Sequence, residues 1–124
     1  VSGYLRARIR SFRDAGAGIA ATLASQANAK IHAVATVAVV ALGSLLDVSR
    51  GDWCWLAVAI ALVWSAECLN TAVEELGDAT ARGPDPRVGR AKDAAAGAVL
   101  VAAVGASVIG ALVLGPPLVA RLVR

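Results

Sequence analysis

From Ala94 to Leu114 the chain carries no charged residue. At ~1.5 Å of helical rise per residue this stretch is ~30 Å long, the thickness of a bilayer's hydrocarbon core. Two further apolar blocks precede it, from about Ile31 to Leu46 and from Trp53 onward. With 58% hydrophobic and 17% charged residues among 124, a water-facing fold of this size would lack polar surface to cover itself. The expected class is a single-domain, all-α membrane protein with three transmembrane helices.

Charge placement orients it. Arg6, Arg8, Arg10, Arg13 and Lys30 precede the first block, and Arg82, Arg87, Arg90 and Lys92 lie between the second and third. Only Arg50, Arg121 and Arg124 fall on the other side, a split of nine to three among the 12 basic residues. The positive-inside rule then puts the N-terminus and the 79–93 loop in the cytoplasm. The basic residues flank spans without interleaved aromatics, which argues against a nucleic-acid partner. No cleavable signal peptide is expected, because the first apolar block follows a basic segment of about thirty residues.

Residues 3–25 pattern as an amphipathic helix lying on the membrane surface, with Leu5, Ile9, Phe12, Ile19 and Leu23 on one side and arginines on the rest of its first half. The first span is expected over 31–46. Trp53 and Trp55 open the second, where amphipathic rings favour the interface. The second span with its cytoplasmic extension covers 53–78, a loop 79–93 containing Gly83-Pro84-Asp85-Pro86 follows, and the third span over 94–114 is expected to stop at Gly115-Pro116-Pro117. Ala94, Ala98, Ala102, Ala106 and Gly110 make a small-residue row suited to close helix packing. Cys54 and Cys68 share one helix at ~21 Å separation, too far to bridge.

The second span is the informative one. Between Trp53 and Ala66 it has no charge, yet that run is shorter than the ~20 residues a crossing needs, so the helix takes Glu67 and Asn70 into the membrane or its boundary. Asn70, Thr71, Glu74 and Asp78 follow Glu67 at offsets of three, four, seven and eleven. At ~100° per residue, Glu67, Glu74 and Asp78 lie within about 40° of one another. An acid near the bilayer costs about 2.5–3.5 kcal/mol at the centre on insertion scales, and neighbouring acids repel. A divalent cation or a lysine relieves both costs. Lys92 is the lysine candidate, and Asp93 beside it suits either a helix cap or a functional role. Carboxylates with a lysine at the membrane surface fit Mg²⁺-assisted phosphoryl transfer, and they also fit an ion pathway. The charge-free first and third spans make the pathway the weaker reading. His32 reads alone as an interfacial residue rather than a ligand.

Glu67-x-x-Asn70-Thr-Ala-x-Glu74-x-x-x-Asp78, followed by Ala91-Lys92-Asp93-x-Ala-Ala-Gly-Ala-Val99, resembles the prokaryotic diacylglycerol kinase and undecaprenol kinase family, as does Asn28-x-Lys30-Ile31-His32. The resemblance covers nearly the whole chain, residues 1–124, as one kinase domain. It implies a homotrimeric bundle in the bacterial inner membrane, with active sites shared between subunits, that moves the γ-phosphate of ATP to a lipid hydroxyl. On that resemblance Glu67 is the general base, Asn70 orients the base or the attacking hydroxyl, and Glu74 holds Mg²⁺. Lys92 neutralises the phosphates with Asp93 supporting the site, Asp78 faces the nucleotide, and Gly83, Pro84 and Asp85 line its adenosine end. The second metal ligand, usually glutamate, is Gln26 here. Asp14 stands where tyrosine is frequent and Ala17 where a basic residue is common, so a weakened or non-catalytic lipid-binding member is the alternative. The Asn-Thr-Ala and Ala-Ala-Gly-Ala-Val wording is nearer to the undecaprenol branch.

Overall fold

The computed structural model describes residues 2–80 and 83–123, which form four helices: α1 (Ser2–Ser25), α2 (Ala27–Leu45), α3 (Arg50–Thr80) and α4 (Pro86–Leu122). The last three are each long and apolar enough to cross a membrane. Many of their large side chains, among them Val34, Val37, Leu62, Val101 and Leu112, point away from the rest of the chain. A lipid solvent suits such a surface, since burying apolar groups inside the protein gains nothing over lipid contact.

Short polar devices set the helix ends. α1 and α2 are parted by one extended residue, Gln26 (φ −101°, ψ 123°). After α2, Asp47 takes the left-handed conformation (φ 51°), and Val48 N–H donates to Gly43 O while Asp47 N–H donates to Ser44 O, the Schellman arrangement that satisfies terminal carbonyls. Ser49 then caps α3 in a reciprocal box: Asp52 N–H donates to Ser49 Oγ, and Ser49 N–H donates to Asp52 Oδ2, both at 3.2 Å. The second span therefore begins earlier than Trp53.

The expected 79–93 loop is much shorter than that. α3 continues to Thr80, and α4 starts at Pro86, where proline is favoured because its missing N–H would have no intrahelical partner. Asp85, not Asp93, is the cap, accepting from Arg87 N–H at 2.8 Å. Lys92 and Asp93 consequently lie inside a helix. Arg82, a possible partner for Asp78 or Glu75, falls outside the described residues. At the other end Pro116 and Pro117 sit within α4 instead of ending it. Gly115 ahead of them has no Cβ to clash with a proline ring, and only a few backbone bonds are forfeited near the helix end. The extra turns carry Arg121 to the C-terminus of α2, where Nη1 donates to Leu45 O, a cation placed at the negative end of a helix.

α3 and α4 pack most extensively, with Leu56, Ala59, Val63, Val99 and Ala102 buried among them. From the small-residue row, Ala102 is buried against this contact, while Ala106 and Gly110 line a groove shared by α2, α3 and α4. Two glycines permit close approach. A Cβ at Gly77 would lie 2.9 Å from Val88 Cγ1 and from Lys92 Cε, and one at Gly43 would lie 2.9 Å from the Trp53 ring. The indole is rigid, so Gly43→Val is expected to cost about 1–3 kcal/mol through overpacking, read as a lower thermal midpoint in detergent.

Candidate active site

α2 and α3 run antiparallel, and polar side chains tie them at successive levels. Gln26 Nε2 donates to Glu74 Oε2 at 2.7 Å. His32 Nε2 lies 3.2 Å from Glu67 Oε1. Trp64 Nε1 donates to Thr36 Oγ1 at 3.1 Å, and that hydroxyl donates to His32 O at 2.7 Å. The two inner rungs follow from helix geometry, since 32 to 36 on α2 and 67 to 64 on α3 are steps of four and three that keep a face, while the extended Gln26 ahead of α2 reaches Glu74.

Glu67 is 1% exposed. Its Oε1 has no hydrogen bond, because the His32 contact is close without being aligned as one, and Asn70 Oδ1 is likewise a buried acceptor without a donor. Two buried acceptors side by side are costly unless something else supplies protons or positive charge. Glu74 is in the opposite condition. Its Oε1 accepts from Asn70 Nδ2 at 3.1 Å, one helical turn back, and its Oε2 accepts from Gln26. Gln26 donates here instead of capping α2, where no side-chain cap bond forms. The single extended residue between α1 and α2 thus delivers an amide to the acidic face of α3.

The remaining expected residues divide. Asp78 is three-quarters exposed and pairs with Lys92 Nζ, so the lysine meets the outermost acid of the stripe. Asp93 is exposed and makes no side-chain hydrogen bond or ion pair among the described residues. Gly83 and Pro84 are exposed in the α3–α4 turn. Asp85 is committed to Arg87, whose guanidinium, by a side-chain hydrogen bond, holds that carboxyl below its ordinary 3.8 while its own pKa is raised in return. With the folded value lowered, what this pair adds to stability is present at neutral pH and lost as pH falls below 3.8 through that value. Asp14 pairs with the adjacent Arg13 on the exposed face of α1. Beside the acids, α1 and α3 enclose a groove of about 560 Å³ lined by Gly18, Thr22, Ser25, Cys68, Thr71 and Glu75.

A buried acid, a second acid held by amides and a lysine on the next helix all sit at one end of a three-span bundle. The sequence model of prokaryotic diacylglycerol kinase matches residues 13–114. The chain belongs to the prokaryotic diacylglycerol kinase family. It is 41% identical over 114 residues to a diacylglycerol kinase of Synechocystis sp. (strain ATCC 27184 / PCC 6803 / Kazusa), covering 91% of this chain and 65% of that protein. It is 40% identical over 109 residues to an undecaprenol kinase of Bacillus subtilis (strain 168), covering 88% of this chain and 89% of that protein. The chain thus spans just under two thirds of the first relative and most of the second.

His32, read from sequence as an interfacial residue, instead lies against the buried Glu67. The family stretch Asn28-x-Lys30-Ile31-His32 contained it, but periodicity within α2 says nothing about which side chain of α3 it meets. The signal that finds it is the antiparallel pairing: if position 26 serves position 74, six residues on must approach 67. The rungs differ in energetic weight. A double-mutant cycle between Gln26→Ala and Glu74→Ala should return about 1–2 kcal/mol of coupling, a partly buried hydrogen bond to a charge. The cycle between Asp78→Ala and Lys92→Ala should return less than about 1 kcal/mol, because solvent screens that pair. Unfolding in mixed micelles reads both.

Proposed function

We propose that this protein is an ATP- and Mg²⁺-dependent lipid kinase of the bacterial inner membrane, transferring the γ-phosphate of ATP to the hydroxyl of undecaprenol or diacylglycerol. The observation that carries the reading is Glu67: a carboxylate 1% exposed, with Oε1 unsatisfied, at the charged end of apolar helices in a member of this family. Such a carboxylate is poised to accept a proton from a hydroxyl brought to it. Membrane burial keeps competing water away from the acceptor, which favours transfer to lipid over hydrolysis.

In this reading the lipid hydroxyl docks against Glu67, with the unpartnered Asn70 Oδ1 able to fix its direction. Glu67 takes the hydroxyl proton as the lipid oxygen bonds to the γ-phosphorus. The bond from that phosphorus to the β–γ bridging oxygen breaks, and ADP leaves. General-base assistance of this kind contributes about 10²–10⁴-fold. Lys92, anchored on Asp78, is placed to swing toward the phosphates as a point charge. Asp93, Gly83, Pro84 and Asp85 lie on the same end of the bundle and would form the nucleotide's surroundings.

The donor set suits Mg²⁺, though thinly. Glu74 offers one carboxylate, and Gln26 and Asn70 offer amide oxygens once their amides turn, all hard ligands. Mg²⁺ is commonly held by one or two carboxylates together with phosphates and water. Among the described residues no group of three or more His, Cys, Asp or Glu is clustered for a metal, so most of the shell would come from ATP and water. When bound, the ion would neutralise charge on the phosphates.

The positive-inside count supports a cytoplasmic N-terminus and α3–α4 turn, with the acids at the cytoplasmic face of the membrane, where ATP is found. Leu5, Ile9 and Phe12 of α1 are exposed, which supports a helix resting on the membrane surface. The uncovered apolar sides of α2, α3 and α4 are suited to lipid and to neighbouring copies in a homotrimer.

A weakened member is the second reading, favoured by one contact: both oxygens of Glu74 already have amide donors. A site satisfied without a cation binds one less avidly than a pair of carboxylates does. Gln26→Glu should therefore raise apparent Mg²⁺ affinity about tenfold, since a second charge joins the site, and should destabilise the Mg²⁺-free protein through repulsion of Glu74. An unchanged Mg²⁺ dependence would dismiss this reading. The primary test is transfer of labelled phosphate from ATP to undecaprenol and diacylglycerol in mixed micelles at saturating Mg²⁺. Wild-type protein should label one of them and Glu67→Gln should fall by at least about 10²-fold. No transfer by the wild type to either lipid sinks the proposal.

A further inference from the structure

We propose that His32 is the positioning residue for Glu67, donating from Nε2 to hold the carboxylate in the direction from which it accepts the substrate proton. The proposal rests on the reading of Glu67 as the base. It goes beyond that reading by giving the base a partner on another helix.

Glu67 Oε1 is buried and lacks a hydrogen bond. The nitrogen of His32 at 3.2 Å is the cation-forming group paired with it among the described residues. Glu67 cannot be directed by its own helix in the way Glu74 is. Asn70, one turn on, spends its amide on Glu74, and Thr71 spends its hydroxyl on the backbone carbonyl of Glu67. Direction must come from across the helix pair, and α2 supplies it.

The imidazole is itself held in place. Thr36, one turn along α2, donates to the carbonyl of His32 and accepts from Trp64. Trp64 stands one turn before Glu67 on α3. The four residues form a closed arrangement in which the turn carrying the imidazole is fastened to the turn carrying the acid. A histidine merely filling space between helices needs no such fastening. His32 also lines the groove between α2, α3 and α4, about 450 Å³ in volume, together with apolar residues such as Ala35, Ile60 and Val63. One ring therefore touches both the acid and an apolar channel open to a lipid chain, which is where a base acting on a lipid hydroxyl has to be aimed.

His32 is the chain's single histidine, so its ring nitrogens give one unambiguous set of ¹⁵N resonances. In nanodiscs these should move when Glu67→Gln removes the carboxylate, whatever the catalytic outcome. In the lipid-kinase assay His32→Leu should lower kcat about tenfold or more, the scale of a misdirected catalytic group, with KM for ATP unchanged. His32→Gln, whose amide nitrogen reaches the Nε2 position, should recover kcat to within about threefold of wild type, because it keeps the donor. Ring resonances indifferent to Glu67→Gln would overturn the proposal, as would wild-type turnover in His32→Leu. A loss in His32→Gln as deep as in His32→Leu, or a rise in KM for ATP in both, would also overturn it, assigning the ring to proton relay or to packing instead. If the wild type phosphorylates lipid, Glu67→Gln does not, and His32→Leu does, only the positioning role fails. If the wild type phosphorylates neither lipid, the base reading fails and this proposal with it.

Discussion

The contact on which the site depends is the set of polar rungs between α2 and α3. A carboxylate that is 1% exposed on a membrane helix cannot be kept by its own helix, because every backbone N–H within reach is already used. Its burial is tolerable only if a neighbouring helix offers polar partners at the same depth. α2 and the residue that leads into it do so with three side chains, Gln26, His32 and Thr36, against Glu74, Glu67 and Trp64. The rungs also fix the register of the two helices, since sliding one by a residue would leave several buried polar groups unpaired at once. At the far end the same pair closes by shape instead of polarity, with the Trp53 ring over Gly43.

Position 26 shows how an amide sets the electrostatics of an acidic face. Two facing carboxylates repel and call for a cation. An amide facing a carboxylate is attractive in the cation's absence, and Gln26 bonds Glu74 at 2.7 Å. The two helices are thereby joined at this level without a cation. The residue's backbone matters equally. As the one extended position between two helices, Gln26 both turns the chain from α1 into α2 and swings its side chain toward α3.

Much of this was legible in the sequence. The three spans followed from charge-free length, and the alignment of Glu67, Glu74 and Asp78 followed from the 3.6-residue period. Both are properties of single helices. The boundaries were misjudged wherever proline carries two meanings. Pro86 begins a helix because Asp85 caps it, and Pro116-Pro117 is passed through because Gly115 removes the clash that ordinarily halts a helix ahead of proline. The depth of the stripe was only partly readable, since the period puts Asp78 on the same face as Glu67 but does not reveal that it stays exposed, paired with Lys92. His32 could not be read from one helix alone. Its meaning lies in a contact between helices, and no periodicity within α2 encodes the residue it will meet on α3.

The rungs are open to direct measurement in a lipid bilayer. Gln26 is the chain's single glutamine, so labelling glutamine side-chain nitrogen with ¹⁵N and glutamate carboxyl carbon with ¹³C isolates its contact with Glu74 by solid-state NMR dipolar recoupling. The 2.7 Å bond between Gln26 Nε2 and Glu74 Oε2 predicts strong nitrogen-to-carboxyl dephasing in the Mg²⁺-free protein, abolished by Glu74→Ala under the same labelling. Absence of dephasing in the wild-type bilayer sample would contradict an acidic face preassembled by α2.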